Sequence, residues 1–279
     1  MSFDYGRFVE EYFKDKSLTE NNAWQHIYRL VWSKNSNVDE LPEIKESNKL
    51  ENTDIWETRA RRAERYLSDN LGVNYQDPNF DLIFKAYVEE NDLELDSRKA
   101  SNIRGNIRGE GFEHVVQYVI KEVCGVEPLM KKSVSELQGY ETAESSSVTQ
   151  PDLILFSEQD YSLLMSTKWT LRKDRLKQFL HEAEFYRKRR PDLNITMVTN
   201  DIDTNYLTDL IENEFTDRIY HIHKPLLFEL YQPLNDESLD FDGLLEESDI
   251  HKYIQLNEQL YDLQDLFDDV NRMRQSRSL

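Results

Sequence analysis

Three residues on two predicted neighbouring strands have the types and spacing to do chemistry together. Asp152 begins the apolar run Pro151–Phe156, and Ser166 and Lys168 stand two apart in the next run, Tyr161–Trp169. Alternate residues of a strand share one face, so Ser166 and Lys168 should point the same way. A carboxylate that holds a divalent cation beside a lysine that orients water suits phosphodiester hydrolysis. The alternative left open by the pair alone is a structural Asp–Lys pair at a strand end.

The helix predicted after these strands carries a further carboxylate. It should run from about Arg172 to Arg189, because a proline follows closely. Its apolar face is formed by Leu176, Phe179, Leu180 and Ala183. Glu182 lies at the edge of that face, so it could reach back to the aspartate–lysine pair.

Arg172, Asp174 and Arg175 crowd the predicted start of this helix. In a DNA major groove an arginine can bind O6 and N7 of a guanine, and an aspartate can accept from N4 of a cytosine. An ordinary amphipathic helix also begins with such residues, so the triplet alone is weak evidence.

Taken together, this spacing resembles the PD-(D/E)XK nucleases, and more narrowly the NgoMIV-like type II restriction endonucleases that recognise a CCGG core. In that branch serine replaces the usual acid two residues before the lysine, and a glutamate fourteen residues after the lysine takes over. Ser166, Lys168 and Glu182 match those positions. The branch also carries an Arg-x-(Asp/Glu)-Arg element, matched here by 172–175. The resemblance covers about 70 residues, from Glu113 to Glu182.

The resemblance implies a role for each matching residue of the catalytic site. Asp152 and Glu182 would be ligands of Mg²⁺, and Lys168 would lie near the nucleophilic water. Ser166 marks the vacated acidic position. Glu113, on the helix ahead of the sheet, matches the upstream glutamate that serves as a second-metal ligand or supports the ligands.

The resemblance also implies how DNA is read. Arg172 and Arg175 would each bind a guanine of CCGG, and Asp174 would bind the cytosines. Contacts to the DNA backbone or flanking bases are expected from nearby basic residues, namely Arg98, Lys99, Arg104, Arg108 and Lys173. The expected partner is double-stranded DNA with a palindromic CCGG core, cut before the first C by a homodimer or a higher oligomer. The flanking base pair stays open, W-CCGG-W (W being A or T) being one option.

The net charge of the whole chain argues against a nucleic-acid partner, but the distribution of charge along the chain does not. Its 279 residues contain 54 acids and 34 bases, a net charge of −20. Residues 234–269 alone hold twelve acids and one base, or −11. Elsewhere basic residues cluster at 59–65, 98–108 and 168–190. Because salt screens charges over about 10 Å, a local basic surface can act despite a distant acidic segment.

The cysteine content and the length of the apolar runs limit the class of protein. Cys124 is the one cysteine, which excludes an internal disulfide and a thiolate zinc site and fits a reducing cytoplasm. It stands in an apolar stretch, as a buried, inert thiol would. No apolar run approaches the roughly 18 residues of a membrane span, so a cytoplasmic protein is expected.

The chain divides into three predicted regions. Residues 1–100 are predicted to be a helical domain. Residues 101–224 alternate helices with short apolar strands, which indicates an α/β fold with a mixed central sheet flanked by helices; by the resemblance this is the PD-(D/E)XK catalytic core. Residues 225–279 form an acidic helical extension. Its apolar stripe, expected to pack within the same subunit, consists of Leu256, Leu260, Leu263, Phe267 and Val270.

Three other functions compete with this interpretation. One is a related nuclease of relaxed specificity, in which residues 172–175 merely grip phosphate. Another is a DNA-binding protein without catalysis, in which Ser166 marks a degenerate site. In the third, the acidic C-terminal region mimics DNA and limits DNA binding by the basic groove. His221 and His223 share one predicted strand face, but a metal site there lacks further ligands.

Overall fold

A computed structural model describes residues 2–32, 53–72, 77–130, 151–157, 160–231 and 254–277. The helices are α1 Tyr5–Phe13, α2 Ala23–Trp32, α3 Thr53–Leu71, α4 Phe80–Glu90, α5 Ser97–Asn106, α6 Glu110–Cys124, α7 Lys173–Arg189, α8 Thr204–Ile211, α9 Lys224–Tyr231 and α10 Leu263–Arg277. The strands are β1 Leu129–Met130, β2 Leu153–Ser157, β3 Asp160–Lys168, β4 Asn194–Thr199, β5 Arg218–His221 and β6 Tyr261–Asp262. Of the acidic segment 234–269, only the part from 254 onward lies within these ranges.

The six strands form one mixed sheet in chain order, from β1 to β6. β1, β2 and β3 pair antiparallel, whereas β3, β4, β5 and β6 pair parallel. Helix α7 connects β3 to β4 and helix α8 connects β4 to β5, as parallel neighbours require a crossover. This confirms the predicted α/β class with a mixed sheet flanked by helices.

The strand register brings two strand ends and one strand start to the same edge of the sheet. Leu153 of β2 pairs with Met165 of β3, and Lys168 at the end of β3 pairs with Thr199 at the end of β4. Asp152 therefore stands directly before β2, beside the end of β3. The residues that follow β3 and β4 leave the sheet at this same edge.

The buried core is built on both faces of this sheet. Residues 153–155 of β2 and 163–165 of β3 are almost completely buried. Helix α6 packs on β3 and contributes a buried face at helical spacing. Its buried apolar members include Phe112, Val115, Val116, Val119 and Ile120. A sheet buried on both faces explains the nearly continuous apolar runs of its central strands.

The N-terminal helices pack on this core. Helix α1 contacts α6 and α4, and its buried side chains are largely aromatic, with Phe8 and Phe13 nearly inaccessible. They belong to the same buried apolar cluster as the sheet residues. The division of the chain at residue 100 stays a prediction. Helix α5, which carries Arg98, Lys99 and Arg104, was not predicted because it has no buried residue and hence no apolar stripe.

The C-terminal stripe packs within the subunit, as expected. All five of its predicted members are buried, and α10 packs against α6, β5 and β6. Cys124 is buried at this contact, where its Sγ lies 3.9 Å from the carbonyl oxygen of Phe267. Burial raises the pKa of the thiol to about 12, which confirms an inert cysteine. In the part of the chain that the structure describes, no helix combines the length and apolar character needed to cross a membrane.

The C-terminal helix should therefore contribute strongly to stability. We expect Phe267→Ala, at a fully buried position, to lower the free energy of unfolding by about 3–5 kcal/mol through lost burial and a cavity. Urea unfolding monitored by circular dichroism would measure it. The matched control is Leu82→Ala on α4, a side chain that is 68% exposed, with an effect below about 0.5 kcal/mol. Equal effects of the two substitutions would contradict the packing of α10.

Candidate active site

The predicted aspartate–lysine pair is present at the sheet edge. Oδ2 of Asp152 accepts hydrogen bonds from Oγ of Ser166 at 3.0 Å, the backbone N–H of Thr167 at 2.7 Å and Nζ of Lys168 at 2.6 Å. We call Asp152, Ser166, Lys168 and the nearby Glu182 the strand-edge cluster. Three donors converge on one carboxylate oxygen, and together they fix the Asp152 side chain in place.

Strand alternation explains this arrangement. One step beyond the Leu153–Met165 pair, Asp152 faces Ser166 across the antiparallel ladder. Ser166 and Lys168 are both half-buried and share one face of β3, whereas Thr167 between them is buried on the other face. The side chains of Lys168 and Asp152 are 23% and 15% exposed. An ammonium withdrawn from water to this extent needs the carboxylate partner.

Glu182 joins the cluster from helix α7. The helix buries Leu176, Phe179, Ala183 and Tyr186 against the rest of the protein, and Glu182 lies half-buried at the edge of that face. Oε1 of Glu182 accepts a hydrogen bond from Nε2 of Gln178 at 2.9 Å. Burial raises the pKa of Glu182 to about 7, with the charge of Asp152 adding to the rise and Gln178 and Lys168 opposing it. Glu182 thus lies within the electrostatic field of both Asp152 and Lys168.

The cluster fits a hard divalent cation. The carboxylates of Asp152 and Glu182 repel each other, and Glu182 tends to hold a proton near neutral pH. A bound cation would offset this repulsion and take the place of the proton. Among the described residues Oδ1 of Asp152 receives no hydrogen bond, which leaves it for a ligand. Mg²⁺ is commonly held by one or two carboxylates together with water and phosphate oxygens. Asp152 and Glu182 supply that donor set.

Glu113 does not complete a three-carboxylate site. It lies half-buried in the first turn of α6. Within the described ranges, no three His, Cys, Asp or Glu side chains are grouped to hold a metal. The upstream role of Glu113 therefore stays a prediction.

The predicted DNA-reading residues lie at the start of α7. Arg172 is the extended residue just before the helix, with φ −122° and ψ 155°. Its Nη2 donates to Oδ2 of Asp174 at 3.1 Å, and the two side chains are 62% and 70% exposed. Arg175 is half-buried one turn along the helix. Arg172 follows Lys168 by only four positions, so the triplet begins close to the strand-edge cluster.

Two residues that sequence reasoning missed hold the connection between these sites. Asp201, just after β4, accepts a hydrogen bond at Oδ2 from the backbone N–H of Leu171 at 2.5 Å. The backbone N–H of Asn200 donates to the carbonyl oxygen of Trp169 at 3.0 Å. The available signal was polar residues directly after the apolar strand β4, at the edge where β3 also ends.

The other predicted DNA contacts differ in their surroundings. Arg98 and Lys99, at the start of α5, and Lys173 are exposed. Arg104 is committed to the protein, because its Nη2 lies 2.7 Å from Oδ1 of Asp81 and its guanidinium lies over the ring of Phe84 at 4.7 Å. Arg108 is half-buried ahead of α6. Of these five side chains, the three exposed ones are the most accessible to a phosphate backbone.

The two histidines are held by protein groups. Nδ1 of His221 accepts from the backbone N–H of His223 at 3.0 Å, and its Nε2 lies 3.2 Å from the carbonyl oxygen of Asp201. His223 stacks on Trp24 at 3.6 Å and is 2.7 Å from the hydroxyl of Tyr66. Burial lowers the pKa of His221 to about 4 and that of His223 to about 3. Both rings are neutral and structural at physiological pH.

Comparisons with known proteins give limited similarity. The sequence matches no protein-family model, and no curated protein shows significant similarity to it. Among solved structures, the fold is similar to "Restriction endonuclease PspGI-substrate DNA complex", with 17% sequence identity and a TM-score of 0.46 over 97% of this chain and 92% of that chain. It is also similar to "Metal-depleted Ecl18kI in complex with uncleaved DNA", with 14% identity and a TM-score of 0.37 over 99% and 86%.

The raised pKa of Glu182 predicts a pH-dependent stability. Between the ordinary pKa and about 7 the folded protein keeps a proton that the unfolded chain has lost, so Glu182 lowers stability as pH rises through this window. We expect Glu182→Gln to stabilise the metal-free protein at pH 8 by up to about 3 kcal/mol. Near pH 4 the difference should vanish. Urea unfolding across pH 4–8 would measure it.

Glu184→Gln is the matched control. Glu184 lies on the same helix, but its carboxylate pairs with Lys188, and this bond lowers its pKa. Its substitution should not stabilise the protein at high pH. A pH-independent effect of Glu182→Gln would contradict the burial of the Glu182 carboxylate.

Proposed function

We propose that this protein is a magnesium-dependent type II restriction endonuclease with a PD-(D/E)XK core, hydrolysing phosphodiester bonds of duplex DNA at a palindrome that contains CCGG. The observation that carries the proposal is the strand-edge cluster. Lys168 is hydrogen-bonded to Asp152 at 2.6 Å, and both act on the ionisation of Glu182. This is the spacing and the chemistry that the sequence resemblance requires of an active site.

The catalytic roles follow from the chemistry of each side chain. Asp152 and Glu182 would hold Mg²⁺. When bound, the cation supplies positive charge at the phosphate and lowers the pKa of its water. Lys168, held by Asp152, would orient the attacking water and offset negative charge that develops on the phosphate. Glu182 must be ionised to bind a cation, so its pKa of about 7 predicts stronger metal binding above neutral pH.

Sequence reading is assigned to the start of α7. Arg172 and Arg175 would each donate to O6 and N7 of a guanine, and Asp174 would accept from N4 of the cytosines. The ion pair between Arg172 and Asp174 keeps the two side chains together before DNA binds. Phosphates or flanking bases would be contacted by the exposed side chains of Arg98, Lys99 and Lys173, and by Arg108. Arg104 would contact them only on exchanging its contact with Asp81 for one with DNA.

A palindrome implies a twofold assembly. One surface that reads CCGG reads the same sequence on the opposite strand, so a homodimer would bring one active site to each strand. Cleavage before the first C on both strands would leave 5′ CCGG overhangs. Both features rest on the resemblance, together with the closeness of Arg172 to Lys168 along the chain.

Catalysis is favoured over the alternative, a DNA-binding protein whose nuclease site has degenerated. A lost nuclease site would need no buried carboxylate on α7 to compensate for the serine at 166. Glu182 is half-buried at this place, with its pKa raised by burial and by Asp152. The cost of keeping such a carboxylate is expected of a working site.

A plasmid digest tests the catalytic proposal. Wild-type protein with Mg²⁺ should give discrete fragments whose sequenced ends carry 5′ CCGG overhangs, and EDTA should abolish them. Lys168→Ala should lower the cleavage rate by about 100-fold or more, with binding to duplex DNA retained. Lys14→Ala is the matched control, because Lys14 is exposed and pairs with Glu11 beside α1. Tight DNA binding without any cleavage would move the protein to the non-catalytic class.

A binding assay tests the reading of CCGG. Arg172→Ala and Arg175→Ala should each reduce the preference for a CCGG duplex over one of the same composition in another order, by about 10- to 100-fold. Fluorescence anisotropy at fixed salt, without Mg²⁺, would give both affinities. Arg7→Ala should keep the preference, because Arg7 lies on α1 and donates from Nη1 to Oδ1 of Asn91 at 2.7 Å. An equal loss of affinity for both duplexes would show that the arginines grip phosphate instead.

A further inference from the structure

We propose that Asp201 is a positioning residue for sequence recognition: it fixes the start of α7, and hence Arg172, relative to the strand-edge cluster. The inference rests on the proposed function and adds a specificity-determining residue to it. Asp201 does not itself reach DNA in this scheme. It acts through the backbone of the link between the catalytic strand and the reading helix.

The carboxylate of Asp201 is buried and used on both oxygens. Its Oδ2 accepts from the backbone N–H of Leu171 at 2.5 Å, and its Oδ1 accepts from the backbone N–H of Asp203 at 2.8 Å. The residue is 5% exposed. A buried carboxylate is expensive unless hydrogen bonds compensate it, so these contacts hold the chain segments firmly together.

The link that it holds is short and also anchored at its other end. Residues 169–171 are all that separates Lys168 from Arg172. The carbonyl oxygen of Trp169 accepts from the backbone N–H of Asn200 at 3.0 Å. The Trp169 ring is completely buried, and its centroid lies 5.5 Å from the ring centroid of Tyr28 and 5.3 Å from that of Phe112. Asn200 is itself held, because its Oδ1 accepts a hydrogen bond from the hydroxyl of Tyr28.

The start of α7 depends on this link because it has no cap of its own. Arg172 occupies the N-cap position, where its side chain makes no capping hydrogen bond. Helices usually fix their first turn through a Ser, Thr, Asp or Asn at this position. Here the acceptor follows another strand and holds the residue just before the cap. The Arg172 side chain is thus not needed to cap the helix; it pairs instead with the exposed Asp174, a contact that can be exchanged for one with a base.

The strand register makes Asp201 a suitable anchor. Lys168 and Thr199 are paired at the ends of β3 and β4, so Asp201 follows a strand that is fixed against the catalytic strand. The position of Arg172 is thus set from the same sheet edge as Lys168. Productive geometry in a catalytic or binding site tolerates errors of only about 0.5 Å, so loosening this contact should weaken recognition before it harms folding.

A double-mutant cycle tests the inference. We expect Asp201→Asn, which keeps the shape but has one carboxylate oxygen replaced by a donor, to reduce the preference for CCGG over the reordered duplex by about 10-fold. Combined with Arg172→Ala, Asp201→Asn should cause a clearly smaller further loss than it causes alone, because much of its effect acts through Arg172. The matched control is Asp209→Asn, an exposed aspartate on α8, which should leave the preference unchanged.

Hydrogen exchange tests the contact between Asp201 and Leu171 in the absence of DNA. In the folded wild-type protein the Leu171 amide should be strongly protected from hydrogen exchange, and Asp201→Asn should speed its exchange while α6 amides stay protected. Exchange of the wild-type Leu171 amide at the rate of an open loop would overturn the inference even if the variant failed to fold.

The outcomes separate the inference from the function on which it rests. Wild-type protein that prefers CCGG, with Asp201→Asn equal to wild type, overturns the inference alone. Additive losses in the cycle also overturn it, since Asp201 would then act independently of Arg172. Wild-type protein without any preference for CCGG overturns both the proposed specificity and the positioning role.

Discussion

The ion pair between Asp152 and Lys168 is the constraint from which the site is built. It joins the residue before β2 to the last residue of β3, and it can form only in the observed antiparallel register. A slip of one residue would turn Thr167 towards the site and drive Lys168 into the apolar core. The buried residues of the two strands oppose such a slip. The core therefore fixes where the charges of the site can lie.

Helix α7 carries both Glu182 and the residues that are proposed to read DNA. Its buried face sets the rotation of the helix, which brings Glu182 within the electrostatic field of Asp152 and Lys168. Its first turn carries the arginines that are proposed to read DNA. One helix therefore supplies the Glu182 carboxylate of the strand-edge cluster and begins at the proposed reading residues.

The sequence predicted the parts of this arrangement that depend on local periodicity. Alternation in β3 placed Ser166 and Lys168 on one face, and helical spacing placed Glu182 at the edge of the apolar stripe. The contact of Asp201 with Leu171 could not be predicted, because it joins segments thirty residues apart through a backbone group. Helix α5 escaped prediction for another reason: a helix without buried residues leaves no periodic apolar pattern in the sequence.

In the metal-free cluster, burial is the main cause of the raised pKa of Glu182, and the charge of Asp152 adds to the rise. In the described part of the chain, Lys168 is the cation that influences both Asp152 and Glu182. Lys168 pairs directly with Asp152 and only partly offsets the burial of Glu182, which tends to keep its proton near neutral pH. A divalent cation would take the place of that proton. Burial of Glu182 therefore lowers the stability of the metal-free protein as pH rises. The same buried negative charge would favour the binding of a cation.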